Sequence, residues 1–483
     1  MAKGTPAPRL RLREVRPYER VVKLRMPFRF GVVTLTEAPQ AFVRARIALE
    51  DGREGWGMSA ELLVPKWFDK NMALSNEENF DQLRSALGMA AQFYTGDGAP
   101  RTAFGLFATH YRAQLTACAS RGLNPLIASF GPALLDRAIL DALCRLHGVS
   151  FFDAVRANLP GLAPAEFVPD LAGFDFDAYL ARARPRQSIH ARHTVGLVDP
   201  IMPGDQAEGT RAGDGLPETL QDVIATYGHT YFKLKVGGDA TQDISRLSAI
   251  AAVLDTIPEP YHVTLDGNEQ YADVDGVLDL WRRMEGTPAL RRLIASTLFV
   301  EQPIHRGMAL ERDVRPLASR RPVIIDESDA DFDAFPRARA RGYTGVSSKG
   351  CKGFYKALIS AARCELWNRE EGKGTYFLSA EDLTTQAGVA VQQDLAIAAV
   401  IGIEHIERNG HHYVNGMAGV PRAEQEAFLA AHPDLYLERD GVVRLRIERG
   451  MLSLRSLACP GFAVGAEPDW AAMREMTMRP ART

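Results

Sequence analysis

Five ionisable residues, Lys235, Asp266, Glu301, Asp326 and Lys349, each stand where a short apolar run ends, and the steps between them are 31, 35, 25 and 23 residues. Each step suits one strand, one helix and the turns joining them. Parallel strands closed into a barrel bring their C-terminal ends to one rim, where barrel enzymes keep their chemistry. Surface charges have no reason to hold that phase. Eight candidate strands fit the pattern: 189–195, 231–236, 262–265, 298–300, 323–325, 345–348, 376–378 and 403–406. They predict a (β/α)8-type barrel over 186–415, near the ~250 residues such a barrel takes.

Ahead of the barrel, residues 1–150 mix two textures. Val43, Ala45, Ile47 and Leu49 alternate with Arg44, Arg46 and Glu50 before Asp51-Gly52, the pattern of an antiparallel strand and its turn. Leu135, Ala138, Ile139, Ala142, Leu143 and Leu146 recur at helical spacing, with Gly148 beyond as a stop. The stretches 151–186 and 199–220, rich in Pro, Gly and Asp, read as a linker and an exposed loop.

Composition narrows the partners. The 483 residues are 46% apolar and 24% charged, as in ordinary globular proteins. A net charge of −3 gives no field to draw the chain to nucleic acid or an anionic membrane. The longest apolar run, 395–403, is nine residues, against the ~20 that span a bilayer. Five scattered cysteines form no Cys-x-x-Cys pair, and no apolar signal core follows Met1. A reduced, cytoplasmic protein acting on a small molecule is expected.

Three carboxylates and two or three lysines in one pocket need an account, because like charges crowded in a low dielectric are costly. A divalent cation provides one. Asp266, Glu301 and Asp326 offer hard oxygen ligands, which suit Mg2+, with Mn2+ as the alternative, and not zinc or copper. Such an ion keeps positions for a substrate carboxylate and would stabilise the enediolate formed when the neighbouring carbon loses its proton. A free lysine titrates near ~10.4 and must be tuned down to act as a base. Lys233, two residues before Lys235 on the same strand face, is positioned to do that. Lys349 comes from the opposite side of the ring, so the two lysines could address both faces of one carbon.

Lys233-Leu234-Lys235, Asp266-Gly267-Asn268, Glu301-Gln302-Pro303, Asp326-Glu327-Ser328 and Val346-Ser347-Ser348-Lys349, in that order, resemble the enolase superfamily. Within it they are similar to the muconate lactonizing enzyme-like branch of the mandelate racemase/muconate lactonizing enzyme group. The resemblance implies an α/β fold: a modified TIM (β/α) barrel under an α+β capping domain, built from 1–150 and a returning segment, 416–483. It implies Mg2+ on Asp266, Glu301 and Asp326, with Lys235 and Lys349 as the acid/base pair. Lys233 would tune its neighbour, and Asn268 and Glu327 would support the ligands. Metal–enediolate chemistry with a Lys or His base is that superfamily's general mechanism. In one departure, Gly350-Cys351-Lys352 follows Lys349 where the family has a Gly-Gly pair.

Other residues are candidates for substrate contact: Phe30 within Phe28-Arg29-Phe30-Gly31, Glu381 and His411. Their competing readings are packing, helix capping beside Asp382, and a polar loop shared with His412. The expected reaction is racemisation, epimerisation or cycloisomerisation. The alternative is a β-elimination lyase of the acid- or sugar-dehydratase or synthase type. It would need an added acid, for which His411, His412 and Glu381 are the candidates. A Schiff-base lyase leaves the carboxylates unexplained, and a non-catalytic binding protein on the same scaffold is the remaining alternative. A small carboxylate substrate and a homo-oligomer are the expected partners, without nucleic acid or membrane.

Overall fold

The computed structural model describes residues 6–30, 33–206, 209, 211–383 and 385–478. The chain opens with an antiparallel sheet of β1 (Leu10–Phe30), β2 (Val33–Leu49) and β3 (Glu54–Leu62). The alternation in β2 buries Val43, Ala45 and Ile47. Arg44 and Arg46 lie instead along the Trp56 ring of β3, 4.8 and 5.8 Å from its centroid.

Helices α1 (Asn76–Gly96) and α3 (Pro125–His147) pack on this sheet, and α2 (Ala103–Ala119) packs against both of them. The apolar positions predicted for α3, among them Leu135, Ala138, Ile139 and Ala142, are buried, and Gly148 closes the helix at φ +63°. Sheet and helix meet backbone to backbone at Gly57, where a Cβ would lie 2.2 Å from the Ala138 carbonyl. Only glycine permits that approach.

Eight parallel strands follow: β4 (Ser188–Val195), β5 (Tyr231–Lys235), β6 (His262–Asp266), β7 (Thr297–Glu301), β8 (Val323–Ile325), β9 (Gly345–Ser348), β10 (Phe377–Ala380) and β11 (His405–Glu407). Each pairs with the next, and β11 closes on β4 through His405↔His190 and Glu407↔Arg192. The architecture is the expected modified TIM barrel with an α+β cap. Arg192 and Thr194 of β4 point inward: Arg192 donates to Ser379 Oγ at 3.1 Å, and Thr194 to Glu407 Oε1 at 2.6 Å. The two-residue period turns His193 outward.

Beyond the barrel come the hairpin β12 (Tyr436–Arg439) and β13 (Val442–Leu445), then β14 (Met451–Ser453), antiparallel to β4. The last strand, β15 (Arg474–Glu475), adds to the first sheet with Tyr18 opposite Glu475. On the way the Phe462 ring stacks on Phe151 at 3.8 Å and Trp470 meets Tyr18 at 5.3 Å.

Residues 151–186 are more than a linker. They form helices Phe151–Arg156 and Phe176–Ala181 and bury Leu159, Leu162, Leu171 and Leu180. Their prolines and glycines mark breaks between short turns. The 199–220 loop does expose Met202, while Asp214 within it pairs with Arg25 at 2.6 Å; residues 207, 208 and 210 lie outside the described set. Among the described residues no helix is long and apolar enough to cross a membrane.

Candidate active site at the barrel rim

All eight barrel strands send charged or polar groups to one rim. Lys233 and Lys235 come from β5, Asp266 from β6, Glu301 from β7 and Glu407 from β11, while Asp326, Lys349 and Glu381 follow β8, β9 and β10 directly. Thr194 completes the ring from β4. Each of these side chains is buried.

Lys233 is the hub. Its Nζ lies 2.9 Å from Asp266, 2.9 Å from Glu301, 2.7 Å from Glu381 and 2.8 Å from Glu407. Lys235 pairs with Asp266, and Lys349 with Glu381 and, at 3.3 Å, with Asp326. Lys352 donates to the Asp326 carboxylate at 2.9 Å and to the carbonyls of Asp326 and Ser347 at 2.7 and 2.8 Å.

These contacts set the protonation states. Burial opposes charge on Lys233, but its four acid neighbours hold it well above the ordinary lysine value. Burial likewise works against Lys349, and Asp326 and Glu381 outweigh it. Glu381 stays ionised against burial because Lys233 and Lys349 hold it well below the usual range. Asp266, also opposed by burial, is drawn down to about 2 by Lys233 and Lys235. Glu301 goes the other way: burial and the charge of Glu381 raise it well above a normal glutamate. Burial, with Asp326 and Glu269 beside it, pushes Glu327 up to about 7.

Backbone strain frames the rim. Asn268, Glu269 and Gln302, just past β6 and β7, occupy the left-handed region at φ +39°, +67° and +32°, a conformation that collects at functional loops. Asn268 donates its amide to Asp266 at 2.8 Å and its Nδ2 to Glu327 at 3.2 Å. The Gln302 Oε1 accepts the amides of Asp326 and Ser328 at 2.9 and 3.1 Å, which fixes the Asp326 backbone. Glu269 binds Lys70 and Arg306, and Arg306 reaches the carbonyls of Trp67 and Phe68 at 2.9 and 3.1 Å. The cap segment after β3 is thereby tied to the rim.

Phe28, Val64 and Trp67 of the cap close the site over a cavity of about 30 Å3 whose polar lining includes Lys233, Lys235, Asp266, Asp326, Lys349 and Glu381. That is room for about one or two waters, so a substrate requires these side chains to part.

Carboxylate oxygens of Glu301, Asp326 and Glu381 lie within 4.8 Å of one another. Both Glu301 oxygens are buried, with Oε2 2.9 Å from Lys233 Nζ and Glu381 alongside. An all-oxygen set with such an oxygen pair fits a hard cation. Glu301 and Asp326 of the expected trio converge with Glu381, while Asp266 pairs with Lys233 at 2.9 Å and with Lys235.

The structure thus brings together Lys233, Lys235, Lys349, Asp266, Glu301, Asp326 and Glu381, with Asn268 and Glu327 alongside. His411 is not among them. After β11 the chain turns into the short helix Gly410–Tyr413, which carries His411 to the outer side of β4. The backbone of Phe30 belongs to β1, its side chain lies outside the described set along with Gly31, and Phe28 lines the cavity. Sequence reasoning missed Glu407, Lys352, Thr194 and Trp67. Glu407 carried a readable signal, since it ends the eighth strand at the same phase as the other rim charges.

A sequence profile for the family described as Enolase C-terminal domain-like matches residues 215–464. The chain belongs to that family, in agreement with the resemblance to the mandelate racemase/muconate lactonizing enzyme group. No curated protein sequence matches it. Among solved structures it is similar to the L-Ala-D/L-Glu epimerase of Bacillus subtilis, at 16% identity and TM-score 0.57, over 94% of this chain and 99% of that one. It is similar to 2-chloromuconate cycloisomerase from Rhodococcus opacus 1CP, at 16% identity and TM-score 0.56, over 95% and 97%. A dipeptide epimerase from Enterococcus faecalis V583, complexed with Mg and the dipeptide L-Leu-L-Tyr, matches at 14% identity and TM-score 0.57, over 92% and 99%.

Proposed function

We propose that the chain is a Mg2+-dependent isomerase that removes the α-proton of a small carboxylate substrate and returns a proton to the resulting enediolate, as racemase, epimerase or cycloisomerase. The observation that carries this reading is the placement of Lys235 and Lys349 on β5 and just past β9, four strands apart in a ring of eight, with the carboxylates between them. Lysines so placed face a bound carbon from two sides. The ion, when bound to Glu301, Asp326 and their neighbours, would supply positive charge for the substrate carboxylate and the enediolate.

The chain's own groups do the rest. Lys349, held protonated by Asp326 and Glu381, is the proton donor for one face. Lys235 works on the other face, with its partner Asp266 kept ionised. Lys233 keeps four carboxylates from repelling one another. Lys352 and Gln302 orient Asp326. Phe28 and Trp67 exclude water, which strengthens each of these interactions.

Elimination is the weaker reading on this geometry. The acids it would call on are His411 and His412, which do not line the 30 Å3 cavity, and Glu381, which is held ionised. The test is incubation with α-hydroxy, α-amino and sugar acids in D2O, following deuterium uptake and water loss by mass spectrometry. Exchange without water loss is expected. Lys235→Ala and Lys349→Ala should each lower it by about 10²–10⁴-fold, the usual contribution of a positioned acid or base. Water loss instead of exchange would make the chain a lyase.

A further inference from the structure

On the outer face of the barrel wall, opposite the inward-pointing Thr194, three imidazoles meet. His193 belongs to β4, His229 stands two residues before β5, and His411 lies on the helix Gly410–Tyr413. One ring nitrogen from each falls within 4.8 Å of the others. The ring centroids of His193 and His229 are 5.5 Å apart, and His411 lies 5.6 and 5.3 Å from them.

We propose that His193, His229 and His411 form a Zn2+-binding site, separate from the carboxylate and lysine site of the barrel rim.

The hydrogen bonds favour ligation over simple packing. Nδ1 of His229 lies 2.8 Å from the Ala191 carbonyl, to which it can only donate, so the lone pair is on Nε2. That nitrogen is buried and has no hydrogen-bond partner. A histidine anchored by one N–H on a backbone carbonyl, with the other nitrogen bare, has the arrangement that metal-bound histidines adopt. Nδ1 of His193 is also buried without a partner, while His411 lies against the Arg408 backbone. His193 and His229 are 2% and 1% exposed. Buried polar atoms normally find partners; here His193 and His229 each keep a buried nitrogen without one, and a nitrogen from each of the three rings converges.

Their protonation suits ligation too. Burial lowers all three, His229 to about 4 and the other two well below the ordinary value, with repulsion from His412, His229 and His411 adding to the effect on His193 and from His229 and His412 to that on His411. Neutral imidazoles suit borderline ions such as zinc, whereas Mg2+ prefers oxygen. Zinc–nitrogen bonds of about 2.0–2.1 Å place tetrahedral ligands about 3.4 Å apart, so small ring rotations close the set.

Access is from one side. His411 and Tyr227 line a cavity of about 590 Å3 that also receives Arg211, Arg439 and Arg444. Three protein ligands leave a fourth position for water or a small anion from that cavity.

The test uses the full chain, stripped by chelator and kept in excess Mg2+ so that the rim carboxylates stay engaged. Co2+, a coloured stand-in for zinc, is titrated in. Expected are one Co2+ per chain with the intense visible bands of a four-coordinate ion, displacement by Zn2+, and imidazole scattering in the zinc X-ray absorption spectrum. His193→Gln, His229→Gln and His411→Gln should each weaken binding at least tenfold, and Glu301→Gln should leave it unchanged. His411 sits at the cavity wall, and its variant serves if the two more buried ones fail to fold. Absence of Co2+ binding, a six-coordinate oxygen spectrum, or loss of binding in Glu301→Gln but not in the histidine variants would overturn the proposal.

Discussion

The ammonium group of Lys349, carried by the barrel, lies 5.2 Å from the centroid of the Trp67 ring, carried by the cap. Lys352 stands 5.9 Å from the same ring. An aromatic face attracts a desolvated cation by about 0.5–2 kcal/mol, so the cap contributes to the energy of a rim lysine as well as covering it. Trp67→Leu keeps the apolar cover and removes the aromatic face. Steady-state kinetics on the identified substrate should show kcat/KM lowered about 2- to 30-fold, with Trp67→Phe retaining most of it. Wild-type kinetics in the leucine variant would show that the contact is incidental.

Glu301 brings two buried carboxylate oxygens to the rim, near those of Asp326 and Glu381. An ion bound between these carboxylates stabilises the folded chain, by about 2.7 kcal/mol at a hundred times its dissociation constant. Calorimetric scans should therefore show a higher melting temperature with Mg2+, reversal by chelator, and little response in Glu301→Gln. A melting temperature indifferent to Mg2+ would count against the cation.

Gln302 holds the Asp326 and Ser328 amides with a single carbonyl oxygen. Gln302→Met leaves two buried donors unpaired, each costing about 1–3 kcal/mol. Urea unfolding should show a loss of about 2–4 kcal/mol. A loss below about 1 kcal/mol would mean that water reaches these amides.

Glu61 of β3 lies at the junction of cap and barrel, 3.0 Å from Arg137. Burial, with Asp394 beside it, raises its carboxyl from 4.5 to about 8. A carboxyl raised on folding adds stability that is complete below its unfolded value and is lost as the pH climbs through its folded value. The window runs from about 4.5 to about 8. Stability should fall with rising pH there, by at most about 1.4 kcal/mol per unit for one proton. Denaturation of Glu61→Gln across that window should show a shallower slope than the wild type, and an unchanged slope would place the titration elsewhere.

The barrel was legible because each strand announces itself: an apolar run, then a charge such as Asp266 or Glu301 at its end. Helix α3 was legible for the same reason, its periodicity being local. Pairing of charges was not. Whether Asp266 joins the cation ligands or two lysines depends on side-chain positions set by neighbouring strands, and nothing in the order of residues discloses it. Trp67 reaches the site from the cap, and His193, His229 and His411 converge from three separated stretches, so neither carries a spacing to read. Residues 151–186 looked loose because prolines and glycines punctuate them, although Leu162 and Leu171 are core residues.

The return of β15 to the first sheet has a consequence for traffic through the enzyme. Beyond the β1–β15 pairing, Arg474 binds Glu19 at 2.6 Å and the Met476 amide meets the Pro17 carbonyl at 3.0 Å, so the chain is stitched to itself near both ends. A cap fastened there, and again at the rim by Arg306, cannot swing away like a door. A substrate for the proposed reaction would come and go through small yielding movements around Phe28 and Trp67, which would make turnover a property of those two rings as much as of the lysines beneath them.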